Sequence, residues 1–375
     1  MAVPKTTKAL VLRRAPTDAK PLYHDAVIED VPIGPLRQGQ ILVKLGAVAF
    51  NHRDLWIRKG MYPGIKFGAV LGGDGAVIAV GPGEDGRLPL LHQRVMLVPM
   101  RGWESHPDAP EGDMKILGGG ATAPSGTFSE CVVVESDQVI PTPEHLDDVQ
   151  ASTWGIGGVT AWRAVVVNAR VKKGDNVLIT GIGGGVALVA LQLCIARGAR
   201  VFVTSGNEQK IQKAIALGAV GGVNYKHDSW PDVLGELLQS SAKSDGGKPL
   251  LDAVIDSAGG PIMQKIGRRL KQGGRVVCYG MTAIPQITLT MREVMSNQQL
   301  IGSTMGSKAD LLDCIQFVAE KRITPVVSHT LNGLQEAEQG FELLKRGEQF
   351  GKIVIDLRVT GSGGQRDTAK NGAKL

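Results

Sequence analysis

The chain has 375 residues, 43% of them hydrophobic and 21% charged, with a formal net charge of +6. That is enough length for two domains and the composition of a soluble globular protein, and so small a charge, with no Lys/Arg run interleaved with aromatics, excludes a nucleic-acid partner. No apolar run is long enough to span a bilayer, no signal-peptide core opens the chain, and four scattered cysteines without a C-x-x-C pair form neither a disulfide framework nor a zinc knuckle, which suits a soluble intracellular protein with no membrane partner.

Lys8 to Leu12, Ala26 to Val31 and Gln40 to Val48 alternate or cluster as strands between Pro- and Gly-containing turns, so the chain opens all-β. Asn51 to Pro63 is a short helix-like piece ending at Gly60. Gly68 to Gly86 returns to strands, punctuated by Gly72-Gly73-Asp74-Gly75. Pro99 to Gly126, rich in Gly, Pro and acids, reads as a long surface loop. Phe128 to Val134 and Gln138 to Ile140 resume the β pattern, and Leu146 to Val167 is helical in outline, interrupted by Gly155-Ile-Gly-Gly158.

Asn176 to Gln192 organises the remainder. Val177 to Thr180 is apolar and β-rich, Gly181 to Gly185 is a glycine turn, and Val186 to Arg197 is an unbroken helix pattern. Strand, glycine turn, helix is the context a dinucleotide-binding fingerprint requires. Glycines let the backbone approach a pyrophosphate, and the free N–H groups at the helix start hold its charge. Strands at Arg200–Thr204, Ala219–Asn224, Leu251–Asp256 and Gly274–Tyr279 then alternate with helices at Glu208–Leu217, Pro231–Gln239 and Ile262–Leu270, the pattern of a doubly wound parallel sheet. Helices at Asp310–Lys321 and Leu334–Lys345 and a closing strand at Gly351–Leu357 follow. This last segment is too short to stand alone and is expected to return to the first domain, leaving a cleft between the two.

Five stretches occur in a telling order: Asn51-His-Arg-Asp54, Arg58-x-Gly60-x-Tyr62, Gly158-Val-Thr-Ala-Trp162, Gly181-x-x-Gly184-Gly-Val-Ala187 and Gly351-Lys-Ile-Val-Ile355. With them the chain resembles the medium-chain dehydrogenase/reductase superfamily over nearly its whole length. The resemblance implies an α/β fold: a Rossmann-like doubly wound parallel sheet domain (residues 156–306) inside a β-rich GroES-like catalytic domain (residues 1–155 and 307–360). Residues 361–375 read as a disordered tail. Zinc-dependent members bind their catalytic metal through a Cys, a His and a second Cys or acidic residue. The matching places here are Asn51, Gly73 of Gly72-Gly73-Asp74, and the neighbourhood of Ile156. An Asn and one carboxylate do not supply three strong ligands, so no zinc is expected, and the chain resembles the zinc-independent, quinone-oxidoreductase-like branch. Without a Lewis acid to hold a developing oxyanion, the easier hydride acceptor is a C=C conjugated to a carbonyl.

Ser205 stands where an NAD site would place Asp or Glu. It can donate to a 2′-phosphate and Lys210 can neutralise one. The resemblance adds Tyr225 to that clamp, so NADPH is expected ahead of NADH, with Glu208 close by arguing the other way. Gly184, Gly185 and Val186 are expected at the pyrophosphate, and Gly181 in the turn. Ser257, Gly280 and Met281 lie at strand ends facing the cofactor; Thr160, Ser303 and Lys352 fall in stretches that match the family and join the expected cofactor site. At the reacting carbon, Asn51 is expected to approach the nicotinamide as a hydrogen-bonding group. Tyr62 is either a donor to substrate oxygen or a packed tyrosine, and His52 either a proton relay or a surface histidine. Asp54 is expected to order the local turn or to pair with Arg58, and water stays open as the proton source.

The chain ends Ala373-Lys374-Leu375, a conservative variant of the Ser-Lys-Leu address, which leaves peroxisome and cytoplasm both open. A homodimer through apolar strands such as Gln286 to Met291 is implied by the resemblance. The readings are an NADPH-dependent reductase of small conjugated carbonyls or quinones, a metal-free alcohol/carbonyl oxidoreductase, and a nucleotide-binding redox sensor without turnover.

Overall fold

A computed structural model describes residues 3–16, 21–79, 90, 92–121, 123–245 and 249–358, with only the backbone of 77–79 and 244–245. The terminal tripeptide and the part of the Gly68–Gly86 stretch beyond residue 79 lie outside these. Two sheets carry the architecture. The first has six parallel strands in the order Gly221–Asn224, Arg200–Ser205, Asn176–Ile179, Leu251–Asp256, Leu270–Cys278, Gln299–Gly302. Its central strands are buried on both faces: Val177, Ile179, Val201 and Val203 join one core, while Leu178, Phe202, Val254 and Val276 join another. That is why these strands read as continuous apolar runs and not as alternating ones.

The second sheet has seven strands and is built from distant parts of the chain. The strand Lys352–Asp356 lies antiparallel to Gln40–Ala49, with Ile355 opposite Val48, and parallel to Val327–Asn332. The Phe50 N–H donates to the Ile353 carbonyl at 2.9 Å, which sets Lys352 beside Asn51. The helix Gly155–Trp162, fully buried, packs against both the fingerprint helix Gly185–Ala196 and the helix Lys308–Lys321.

Several elements differ from the sequence reading. Residues 99–126 are not merely a surface loop: Met100–Arg101 pairs with Lys115–Ile116, and Met100 and Trp103 are each 2% exposed. The glycines there serve close packing; a Cβ on Gly118 would sit 2.3 Å from the Gly72 carbonyl oxygen. The helix expected over Ile262–Leu270 stops at Ile266, because Leu270 already pairs with Leu251 in the sheet. The helix expected over Leu146–Val167 is three pieces, Asp148–Ala151, Gly155–Trp162 and a π-helical turn Arg163–Asn168. The helix expected at Pro231–Gln239 runs from Trp230 to Asp245.

Candidate active site

The strands Asn176–Ile179 and Leu251–Asp256 lie side by side, and the strands that follow each of them in the chain fall on opposite sides, so a crevice opens beyond their C-terminal ends. A buried carboxylate bolts that crevice. Thr180 Oγ1 donates to Asp256 Oδ1 at 2.7 Å, the Gly259 N–H donates to Oδ2 at 2.9 Å, and the Ser257 N–H donates to Thr180 Oγ1 at 3.0 Å. Burial pushes the Asp256 pKa up against these bonds. Gly181 and Gly183 turn the chain with φ of +64° and +129°, Gly184 caps the helix, and Gly185 starts it. The helix N–H groups therefore face a cleft of about 370 Å³ that Gly181, Gly184, Gly185 and Val186 line.

The far end of this cleft is lined by Ser205, Lys210 and Tyr225. Ser205 is buried and its Oγ accepts the Asn207 N–H at 3.2 Å. Lys210 lies over the glycine turn, donating to the Gly347 carbonyl at 2.6 Å; burial, helped by Lys213 and opposed by Glu348, lowers its pKa. Glu208, the acid that argued for NADH, accepts the Asn224 amide at 2.8 Å. Tyr225 is half exposed at the rim, with its hydroxyl beside Gly206.

At its other end the cleft meets a chamber of about 330 Å³ walled by Trp56, Tyr62, Ile156, Thr160, Tyr279 and Met305. Asn51, His52, Val186 and Ser257 line both spaces. Tyr62 stacks over the Arg53 guanidinium at 5.0 Å, and His52 meets Trp56 edge-on at 5.3 Å. His52 is open to solvent on one side and walled on the other; that desolvation, with Lys59 adding, lowers its pKa. Thr160 Oγ1 lies 4.0 Å from the Met305 sulfur, and Met305 holds φ of +47°, a strained backbone on the chamber wall. Gly280 and Met281 divide this chamber from a hollow under Trp103. Ser303 faces that hollow, its Oγ accepting from Asn168 at 3.0 Å, while Thr304 and Met305 reach the chamber. Tyr279 was not singled out by the sequence, yet it lines both spaces; burial raises its pKa against a hydrogen bond to Ser257. Its place at a strand's C-terminal end was the available signal.

The polar wall between cleft and chamber is Asn51, Asp74 and Lys352. Asn51 Nδ2 donates to Asp74 Oδ2 at 2.8 Å, and Lys352 Nζ donates to Asn51 Oδ1 at 2.8 Å and to Asp74 Oδ2 at 3.1 Å. Asp74 Oδ1 accepts the Ile156 N–H at 2.5 Å. Asp74 is fully buried, Lys352 4% exposed and Asn51 8% exposed. One shell behind, the Asp54 carboxylate accepts the Asn51 N–H at 2.8 Å; Asp54 orders the turn but does not pair with Arg58, which reaches away to Glu338 and the His24 carbonyl. Burial pushes Asp54 up to about 6, with Arg53 opposing.

This donor set does not fit zinc. The three places where a zinc-dependent relative would carry ligands do converge, but Asn51 and Asp74 are spent on Lys352 and the Ile156 N–H. Gly73 brings no ligating side chain, and a Cβ there would sit 2.6 Å from Ile156 Cδ1 and 3.1 Å from the Leu117 carbonyl, so the chain packs over that place. Among the described residues no three His, Cys, Asp or Glu come together as metal ligands. The four cysteines are free thiols, three of them buried. The cleft does suit a nicotinamide dinucleotide, with main-chain N–H groups for the pyrophosphate and Ser205, Lys210 and Tyr225 at the adenosine end.

Known proteins give the same outline. Residues 37–144 match the alcohol dehydrogenase GroES-like domain and residues 185–320 match the zinc-binding dehydrogenase family. The zinc-type alcohol dehydrogenase-like protein YogA of Leptosphaeria maculans is 40% identical over 349 residues, covering 90% of this chain and 95% of that protein. The acryloyl-coenzyme A reductase of Metallosphaera sedula is 27% identical, covering 84% of this chain and 92% of its own. A solved NAD-dependent alcohol dehydrogenase superposes with a TM-score of 0.78 at 31% identity, covering 93% of this chain and 99% of its own. No helix among the described residues is long and apolar enough to cross a membrane.

Proposed function

The chain belongs to the medium-chain dehydrogenase/reductase superfamily of oxidoreductases, and on that premise we propose that it is a zinc-independent, NADPH-dependent reductase of C=C bonds conjugated to a carbonyl. One observation carries the reading: where a metal would polarise a carbonyl, the site holds a Lys352–Asp74 ion pair and an Asn51 amide. A bound reduced nicotinamide supplies a hydride, which suits a β-carbon whose electron pair can move onto the carbonyl oxygen. The chain's own part is to orient. Gly184 and Gly185 hold the pyrophosphate end, Trp56, Ile156 and Met305 make a dry wall, and water entering past His52 protonates the enolate. The name of the acryloyl-coenzyme A reductase relative supports an acceptor of this class. Ser205 and Lys210 in place of an acid at the adenosine end support NADPH.

The test is an absorbance assay of NADPH and NADH oxidation with enones, enoyl thioesters, quinones and aldehydes, run beside metal analysis and chelation. Chelator-resistant reduction of enones or enoyl thioesters, at least tenfold faster with NADPH at low concentration, is expected. Stoichiometric zinc required for turnover would sink the reading. The second reading, a metal-free alcohol/carbonyl oxidoreductase, draws on the NAD-dependent alcohol dehydrogenase likeness, and chelator-resistant ketone reduction would favour it. We further propose a homodimer. The helix Met291–Met295, with Met291 69% and Met295 78% exposed, leads into the edge strand Gln299–Gly302, and an apolar patch beside an open edge invites a second copy. Sedimentation of Met295→Lys as a monomer is the check.

A further inference from the structure

We infer that Lys352 is the fixed cation of this active site, and that with Asp74 it positions the Asn51 amide as the hydrogen-bond donor for the substrate's carbonyl oxygen. This rests on the reductase reading above for its substrate, but the clamp itself stands on geometry.

The chemistry of the partners fixes which way the amide points. Lys352 can only donate, so it must face Asn51 Oδ1; Asp74, as a carboxylate, can only accept, so it must face Nδ2. The amide cannot flip without setting ammonium against N–H and carboxylate against carbonyl. Asn51 is the N-cap of the helix His52–Arg58 and shares a capping box with Asp54, whose carboxylate accepts the Asn51 N–H at 2.8 Å. Its side chain is also held from the neighbouring strand by Lys352, which donates to Oδ1 at 2.8 Å. Among the described residues Nδ2 makes one bond, to Asp74, leaving its second hydrogen without a protein acceptor, and Asn51 lines both the cofactor cleft and the chamber.

The other donors around the chamber are less suited. Thr160 contacts the Met305 sulfur, Thr282 donates to the Ser257 carbonyl, Arg53 spends both terminal nitrogens on the Leu117 and Gly118 carbonyls, and Tyr62 and His52 are placed by ring contacts with Arg53 and Trp56 rather than by a charged pair. The clamp also touches the cofactor side: a Cβ on Gly185 would sit 2.4 Å from Lys352 Cδ, so the lysine stem lies flat against the start of the fingerprint helix. A rigid N–H with a buried cation behind its carbonyl is a donor that needs no reorganisation when charge develops on the substrate oxygen.

Three variants and one spectrum test this. Asn51→Leu removes the donor, and kcat for the enone, read at saturating NADPH, is expected to fall about 100-fold. Asp74→Asn/Lys352→Met removes both charges together, leaving no unpaired ion in the interior, so it is expected to fold. A positioning role predicts that kcat at saturating NADPH still falls at least about tenfold; a merely structural pair predicts the parent kcat, and that result would overturn the inference. Because a variant can also fail for other reasons, the clamp is read directly on selectively ¹⁵N-Asn-labelled parent protein. The Asn51 side-chain amide, assigned by its loss in Asn51→Leu, is expected to show slowed proton exchange that the double variant abolishes. Exchange at the free-amide rate in the parent overturns the clamp. A protected amide in a parent that reduces no enone, thioester or quinone supports the clamp and overturns the reductase reading instead.

Discussion

The two faces of the cleft are made of different material. One face is main chain: Gly181 to Val186 present N–H groups at a helix start, and side chains matter chiefly where they would intrude. On the other, three buried polar side chains from Asn51, Asp74 and Lys352 hold one another, and each depends on the other two. A backbone site tolerates change until a Cβ blocks it. A buried charged site fails when any one partner is lost, because the remaining charge is then unpaired.

The strongest attempt to break this contrast is Lys352→Met alone, which leaves Asp74 buried and uncompensated; urea denaturation should show a loss of about 3–5 kcal/mol, most of it recovered in the double variant with Asp74→Asn. Next comes the carboxylate behind the wall. Burial pushes the Asp54 carboxyl up to about 6 from its ordinary 3.8, so the folded state binds the extra proton. Its contribution is full below pH 4 and is lost as pH rises toward 6, a fall of about 2–3 kcal/mol that Asp54→Asn should abolish in stability measured across that window. Gly185→Ala probes the point where the faces touch. Its Cβ must displace the Lys352 stem, and a loss of about 1–3 kcal/mol is expected, with kcat falling alongside NADPH affinity. Smallest is Lys210→Ala, which should weaken NADPH about tenfold and NADH less than threefold by titration calorimetry, sharpening the claim that one side-chain charge adds selectivity to a main-chain grip.

How much of this could be read from the sequence follows from the same contrast. The fingerprint is contiguous, so strand, turn and helix announced themselves in seventeen residues, Asn176 to Gln192. The parallel sheet was legible because its apolar strands alternate with helices. Where local pattern erred, tertiary packing overrode it: Leu270 was drawn into the sheet by Leu251, and within residues 99–126 Gly118 proved to be a contact point with the Gly72 backbone and Gly126 with the Val70 and Leu71 carbonyls.

By itself the sequence determined the strand, glycine turn and helix at Asn176 to Gln192 and put Asn51, Gly73 and Ile156 where zinc-dependent relatives carry ligands, since both depend on residue types at short, fixed spacing. Only the folded chain decided what gathers at those places. Lys352 lies 301 residues from Asn51, and no periodicity relates them; they meet because the last strand pairs beside the third, and the interior then admits a cation only where an amide and a carboxylate can take its charge.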